Sequence, residues 1–404
     1  MVRVCVALIV SVLAIGCGDG DASLSDEGGS GGAWALEDVG EGNASRSGQG
    51  GVDASARGPV DAAERAGADA GQVRLPPNAA DAGPTPGNDS GAGEGEPSGQ
   101  ASNLISESCV DGQYTETLPT PEVSIDAEVA SYESEAYMEF IFAVLEKRYP
   151  LGGHLIENAL LDQSLGHCVD FFLSQKNTAQ QVIGSMSLLV HECGHFLDMS
   201  LGGFFDDAYV INESLTITCQ GGSTPGNGGG KTFARSLITS DAYSDLWPPC
   251  ASFGSGGECD SYAPVYLDGD PSDGEFDSGD QGFGSVLEEV VQYINSLATG
   301  YAFNDYYSGS VSERDGILTF LWYMQRYLRL ARLEHPAAYD HLAQDSCWRE
   351  AILTAWGRAW IFLSATEGYS QLGLRDDFLE TLVLDADLYA EIERLRELQG
   401  CPAD

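Results

Sequence analysis

Two histidines four residues apart, with a glutamate directly after the first, constrain this chain more than any other feature: His191-Glu192-Cys193-Gly194-His195. Residues i and i+4 share one face of an α-helix, so both imidazoles reach a single metal ion if the segment is helical. Glu192 then projects beside that ion, where it takes a proton from water, and zinc lowers the pKa of such water towards neutrality. The local sequence supports a helix. Thr178-Ala179-Gln180-Gln181 opens with a capping residue, and a run follows through Val182, Ile183, Met186, Leu188, Leu189 and Val190 to Phe196 and Leu197. That run is apolar on more than one side, as in a helix buried in a domain core. Gly184 and Gly194 interrupt it at some cost in helix propensity. The bland alternative is a buried helix whose histidines satisfy each other.

Two histidines leave a catalytic zinc site one protein ligand short. A third histidine in the pattern HExxHxxGxxH is excluded, because Asp198 and Leu201 occupy the glycine and histidine positions. His154, His167, His335 and His341 have no motif around them and read as surface or packing residues. The segment Ser285–Ala298 offers a glutamate instead. Leu287, Val290, Val291, Ile294, Leu297 and Ala298 form one apolar stripe at helical spacing, flanked by Glu288 and Glu289. With this second helix the chain resembles the gluzincin metallopeptidases. Glu288-Glu289-Val290-Val291-Gln292 is similar to the E-[ED]-x-[AV]-[EQ] helix of the anthrax lethal-factor-like branch, and His191 through Asp198 is similar to its HExGHxxD. The resemblance covers the two helices, a small part of the chain. It implies a zincin-like fold, bound zinc and peptide-bond hydrolysis. Alignment on the lethal-factor-like pattern picks Glu288 as the third zinc ligand, with Gln292 one turn later in support. Alignment on thermolysin-like helices picks Glu289. Both flank the apolar stripe, so amphipathicity does not decide; Glu288 is the expectation and Glu289 the alternative. Asp198, on the face of His191, either supports a ligand or caps the helix end.

The start of the chain reads as a targeting device. Arg3 precedes the apolar run Val4 to Ile15, and Ala14-Ile15-Gly16 leads into Cys17. The run is too short to span a membrane but suits a signal peptide. Residues 1–16 resemble a bacterial lipoprotein signal, which implies lipid attachment to Cys17 and an exported protein anchored to a bacterial membrane, the outer membrane or cell surface being favoured. Residues 17–108 are rich in Gly, Ala, Ser, Asp and Pro. Such a stretch buries too little apolar surface to offset its ordering entropy and reads as a disordered tether. From residue 18 to 107 it carries 16 acidic against 4 basic residues. The whole chain has net charge -43. Nucleic acid is excluded as a partner on this count, since phosphate contacts need clustered Lys and Arg.

Ten cysteines agree with export. Apart from Cys5 and Cys17, eight remain, an even number that suits disulfides in an oxidising compartment, with Cys250 and Cys259 the most evident pair. Cys193 points away from both histidines and is expected to be paired or buried. Asp268, Asp270, Asp273 and Asp277 stand among glycines in a spacing that suits calcium, one residue off the EF-hand loop; the plain alternative is a solvated acidic loop.

Periodicity places a helix over 128–148, a strand over 208–219 and almost continuous helix from 314 to 399. The expected fold is α+β, mainly helical: a zincin-like metallopeptidase lobe at 109–310 and a helical C-terminal lobe at 311–404, with the active cleft between them. The expected activity is that of a zinc metalloendopeptidase acting on a protein or peptide substrate, the membrane being met through the lipid anchor. The rival expectation is a non-catalytic, zinc-containing surface binding lipoprotein on the same scaffold. The glutamate after His191 favours the enzyme, since a purely structural site has no use for a base there.

Overall fold

A helix formed by Met186–Gly202 carries the His-Glu-x-x-His motif and is packed against a second helix, Phe283–Ala302, that carries both glutamates. The computed structural model describes residues 104–162, 164–203, 206–221, 235–251, 258–267, 282–307 and 309–402. Cys17, the signal and most of the tether, and the four aspartates Asp268, Asp270, Asp273 and Asp277 lie outside them. Among the described residues no helix is long and apolar enough to cross a membrane.

The motif helix does not begin at Thr178. The Thr178 hydroxyl accepts a bond from the Gln181 amide and caps a separate short helix, Ala179–Gly184. The break falls at Gly184 and Ser185, where the residue with the weakest hold on helical geometry meets one that turns its hydroxyl to the Gln181 carbonyl. The motif helix restarts at Met186 and stops at Gly203, whose φ of 68° a side chain would resist. The expected helix over 128–148 is likewise divided into Asp126–Ala130 and Tyr137–Arg148; Pro150 then opens a further helix, Pro150–Ala159, at the one position where its missing N–H costs nothing.

The stretch expected as one strand is a hairpin. β1, Asp206–Asn212, pairs antiparallel with β2, Leu215–Gln220, with Tyr209 opposite Ile217. Asn212 makes the turn, its side-chain oxygen accepting from the amide of Ser214. In β2, buried Ile217 and Cys219 alternate with exposed Thr216, Thr218 and Gln220, the pattern of a strand with one wet face.

The glutamate helix lies at the core of the described helical body. Its apolar stripe holds as expected: Leu287, Val290, Ile294 and Leu297 are fully buried, each contributing about 1.5–3 kcal/mol of hydrophobic stabilisation. One side meets the motif helix and another the long helix Glu313–Glu334, with Ser346–Ala365 packed alongside. Across the expected boundary at 310/311 the chain therefore continues into the same compact unit. Helix dominates from 313 to 399, and among the described residues one hairpin accompanies the helices, a mainly helical α+β fold.

Eight cysteines form four disulfides: Cys109–Cys401, Cys168–Cys193, Cys219–Cys347 and the expected Cys250–Cys259. The second ties the motif helix to the short helix Cys168–Phe172, and the third ties β2 to Ser346–Ala365.

Candidate metal centre

The i, i+4 spacing does what helical geometry requires. His191 Nε2 and His195 Nε2 lie 3.1 Å apart. Glu289 Oε2 closes the triangle at 3.5 Å from each nitrogen. All three side chains are buried, with 2%, 2% and 0% of their surface exposed. Among the described residues this is the one group of His, Cys, Asp or Glu side chains able to hold a metal ion.

The structure therefore brings Glu289, not the expected Glu288, to the histidine nitrogens. Adjacent helical residues point about 100° apart, so only one of the two can enter the triangle. Glu288 instead places Oε1 2.8 Å from Nδ1 of His195. On the other ring, Nδ1 of His191 lies 3.0 Å from the Ser296 hydroxyl. Each imidazole is thus held by its outer nitrogen, which fixes ring orientation and leaves Nε2 turned inward as a ligand atom. The Ser296 contact escaped sequence reasoning; its one signal is a position two turns after Glu289 on the same helix face.

The charge balance points the same way. Burial pushes His195 down, but the negative charges of Glu289 and Glu288 outweigh it and raise the imidazole well above its usual range. Burial lowers His191, with Glu289 pulling in the opposite sense. Burial would raise Glu289, yet the charge of His195 and the approach of both imidazoles to 3.5 Å hold the carboxyl below its ordinary value. Neither oxygen of Glu289 has a hydrogen-bond partner. A buried carboxylate without hydrogen bonds is costly unless a cation faces it. The carboxylate draws positive charge to this point, carried by a protonated His195 or by a bound metal ion.

Asp198 fastens the centre to its surroundings. Its carboxylate accepts from the Val210 amide of β1 at 2.9 Å and from Gln292 Nε2 at 2.7 Å. Gln292 Oε1 in turn accepts from Asn295 Nδ2 at 2.9 Å. Asp198 is therefore a buried junction between two helices and a strand, not a helix cap. Burial, with the charge of Glu288, raises its carboxyl well above the usual range. Gly194 makes this packing possible: a Cβ there would sit 1.9 Å from Gln292 Oε1. His191 meets Ser296 and His195 meets Glu288, so the two helices run in opposite directions.

Glu192 follows His191 on the motif helix and is 1% exposed. Tyr293 sets its ring 4.7 Å from that of His191, edge to face. Its hydroxyl faces that of Tyr266 at 3.5 Å. Tyr301 packs on Tyr369, the Tyr306 hydroxyl points to Asp126, and the Tyr307 hydroxyl is buried. Cys193 is directed away from the triangle into its disulfide with Cys168. Of the remaining histidines, His167 caps Cys168–Phe172 and His341 meets the Gln220 carbonyl.

Fold and site together define a mainly helical protein with a buried His-His-Glu group that can hold a metal ion. Comparison with protein-family models, with curated proteins and with solved structures gave no match in any of the three.

Proposed function

We propose that this chain is a zinc-dependent metallopeptidase on a zincin-like scaffold, exported and held at a bacterial membrane through Cys17. The observation that carries the reading is the His191–His195–Glu289 triangle, with the buried Glu192 next to His191 on the motif helix. Zinc–nitrogen and zinc–oxygen bonds of about 2.0–2.1 Å put neighbouring tetrahedral ligands about 3.3 Å apart, against 3.1, 3.5 and 3.5 Å here. Two imidazoles and one carboxylate also form a donor set suited to zinc, with a fourth position left for water or substrate. Bound there, zinc supplies Lewis acidity, polarising a carbonyl and acidifying water. Glu192 takes the proton from the attacking water and passes it to the leaving amine. Glu288 and Ser296 keep the two imidazoles turned so that Nε2 faces inward. Burial of the whole group removes competing water and strengthens each of these interactions. Four disulfides suit the oxidising compartment that export implies.

The second reading is a surface protein with a structural metal and no catalysis. One observation favours it: no member of the triangle is more than 2% exposed. The decisive experiment pairs metal analysis with peptide cleavage, with and without chelator. Glu192→Gln is expected to keep its metal and lose cleavage. Cleavage that survives the substitution removes Glu192 from the mechanism, and a metal-loaded wild type that cleaves nothing, or cleavage that chelator leaves unchanged, removes the zinc-peptidase reading.

A further inference from the structure

Away from the triangle, a cavity of about 490 Å³ opens between the strip Thr115–Leu118, the residues Tyr149–Leu151 and the hairpin turn Asn212–Ser214. Its size falls within the usual range for ligand sites. One wall is a strip of main chain. Tyr114 and Glu116 are partly buried while Thr115 and Thr117 are exposed, the alternation of a strand. Tyr114 has extended backbone angles, and no amide or carbonyl of Thr115, Glu116, Thr117 or Leu118 is hydrogen-bonded within the described structure. Leu118, on the same wall, leaves 38% of its surface exposed. A row of unpaired main-chain groups beside an apolar side chain is the surface that an extended peptide completes by adding a strand.

The floor of this cavity is rigid and joined to the metal centre. Arg358, fully buried, holds Glu116 with bonds of 2.6 and 3.1 Å and the Tyr149 hydroxyl at 3.3 Å. The same guanidinium donates to Asn295 Oδ1 at 2.8 Å. Asn295 continues through Gln292 to Asp198, and hence to the motif helix. On the opposite wall, Asn212 ends β1 two residues after Val210, whose amide is bound by Asp198. A chain lying in the cavity is thus held on the same hydrogen-bonded body as the catalytic side chains.

We propose that this cavity is an exosite for an extended stretch of polypeptide, paired along residues 115–118, so that the preferred substrates are long unfolded chains and not short peptides. The proposal rests on the peptidase reading for its consequence in turnover, but its binding step is testable alone. Filling the cavity from the far wall with Ser214→Trp, and removing an amide of the strip with Thr117→Pro, leaves the metal centre untouched. Both are expected to raise KM for reduced, carboxymethylated casein by about tenfold or more, while kcat/KM for a short quenched peptide stays within about twofold. Independently, in Glu192→Gln with its metal bound, casein is expected to slow amide exchange at residues 115–118, and Ser214→Trp to abolish that protection. Casein that leaves these amides unprotected overturns the exosite, as does an equal effect of both variants on casein and on the short peptide. If the wild type cleaves neither substrate yet the protection is seen, the peptidase reading falls and the binding site stands.

Discussion

Replacing Glu288 by glutamine keeps the shape of the helix surface but removes the charge that lies 2.8 Å from Nδ1 of His195. A hydrogen bond to a charged partner is worth about 1.5–3 kcal/mol. Loss of a support of this kind lowers metal affinity by about 10–100-fold, or roughly 1.4–2.7 kcal/mol, so the two routes agree. Glu289→Gln removes a member of the triangle itself and the charge nearest both Nε2 atoms; its metal affinity is expected to fall further than that. Glutamine is the right replacement at both positions, since Glu289 is fully buried and a smaller side chain would add a cavity. The assay is competition for zinc against a chromophoric chelator, with circular dichroism of the metal-free variants to confirm that both remain folded. The expected order of affinity is wild type, then Glu288→Gln, then Glu289→Gln. If Glu288→Gln binds zinc more weakly than Glu289→Gln, the division of roles between the two glutamates is wrong.

Three other perturbations test the surroundings. Gly194→Ala places a methyl group 1.9 Å from Gln292 Oε1; overpacking plus an unsatisfied Asp198 should cost about 2–5 kcal/mol, read by denaturant unfolding, and a variant as stable as wild type refutes the close-packing argument. Burial pushes Glu313, beside Ser187 of the motif helix, from 4.5 up to about 7. A raised carboxyl stabilises the fold fully below its unfolded value and loses that contribution as pH rises through 7, by up to about 3 kcal/mol. Glu313→Gln should therefore gain on wild type in melting temperature between pH 5 and pH 8; a constant difference across that range contradicts it. Removing the Cys168–Cys193 bridge by Cys168→Ala with Cys193→Ala opens a loop of 25 residues and should cost about 3–4 kcal/mol on the chain-entropy model; unchanged stability of the double variant counts against a structural role for the bridge.

The parts of the site fixed by one helix could be read from the sequence, and those fixed by two helices could not. His191 and His195 share a face through spacing alone. The choice between Glu288 and Glu289 depends on how far Phe283–Ala302 is rotated about its own axis. That rotation is set by Gly194 against Gln292 and by Asp198 between them, contacts between residues about a hundred positions apart. Amphipathicity has no access to it, because Glu289 is buried at the edge of an apolar stripe and looks in sequence like any solvated acid. The hairpin was hidden for a different reason. Ala208 to Ile211 are buried on both faces, so β1 lacks the alternation that would have separated it from β2. Cys250 and Cys259 could be paired by their nearness; the other three bridges, 25, 128 and 292 residues apart, depend on tertiary contacts that spacing does not encode.

The bridge between Cys109 and Cys401, with the ion pair of Asp111 and Arg396 beside it, decides where a mechanical load on the chain would travel. A pull arriving along the segment before Cys109 crosses to Cys401 through a covalent bond. Tension against drag on the body is then borne by the clamp where the two ends meet, and the polypeptide between them is spared from being drawn out. Shear applied through that segment would turn the whole body before it could peel the motif helix from its partner.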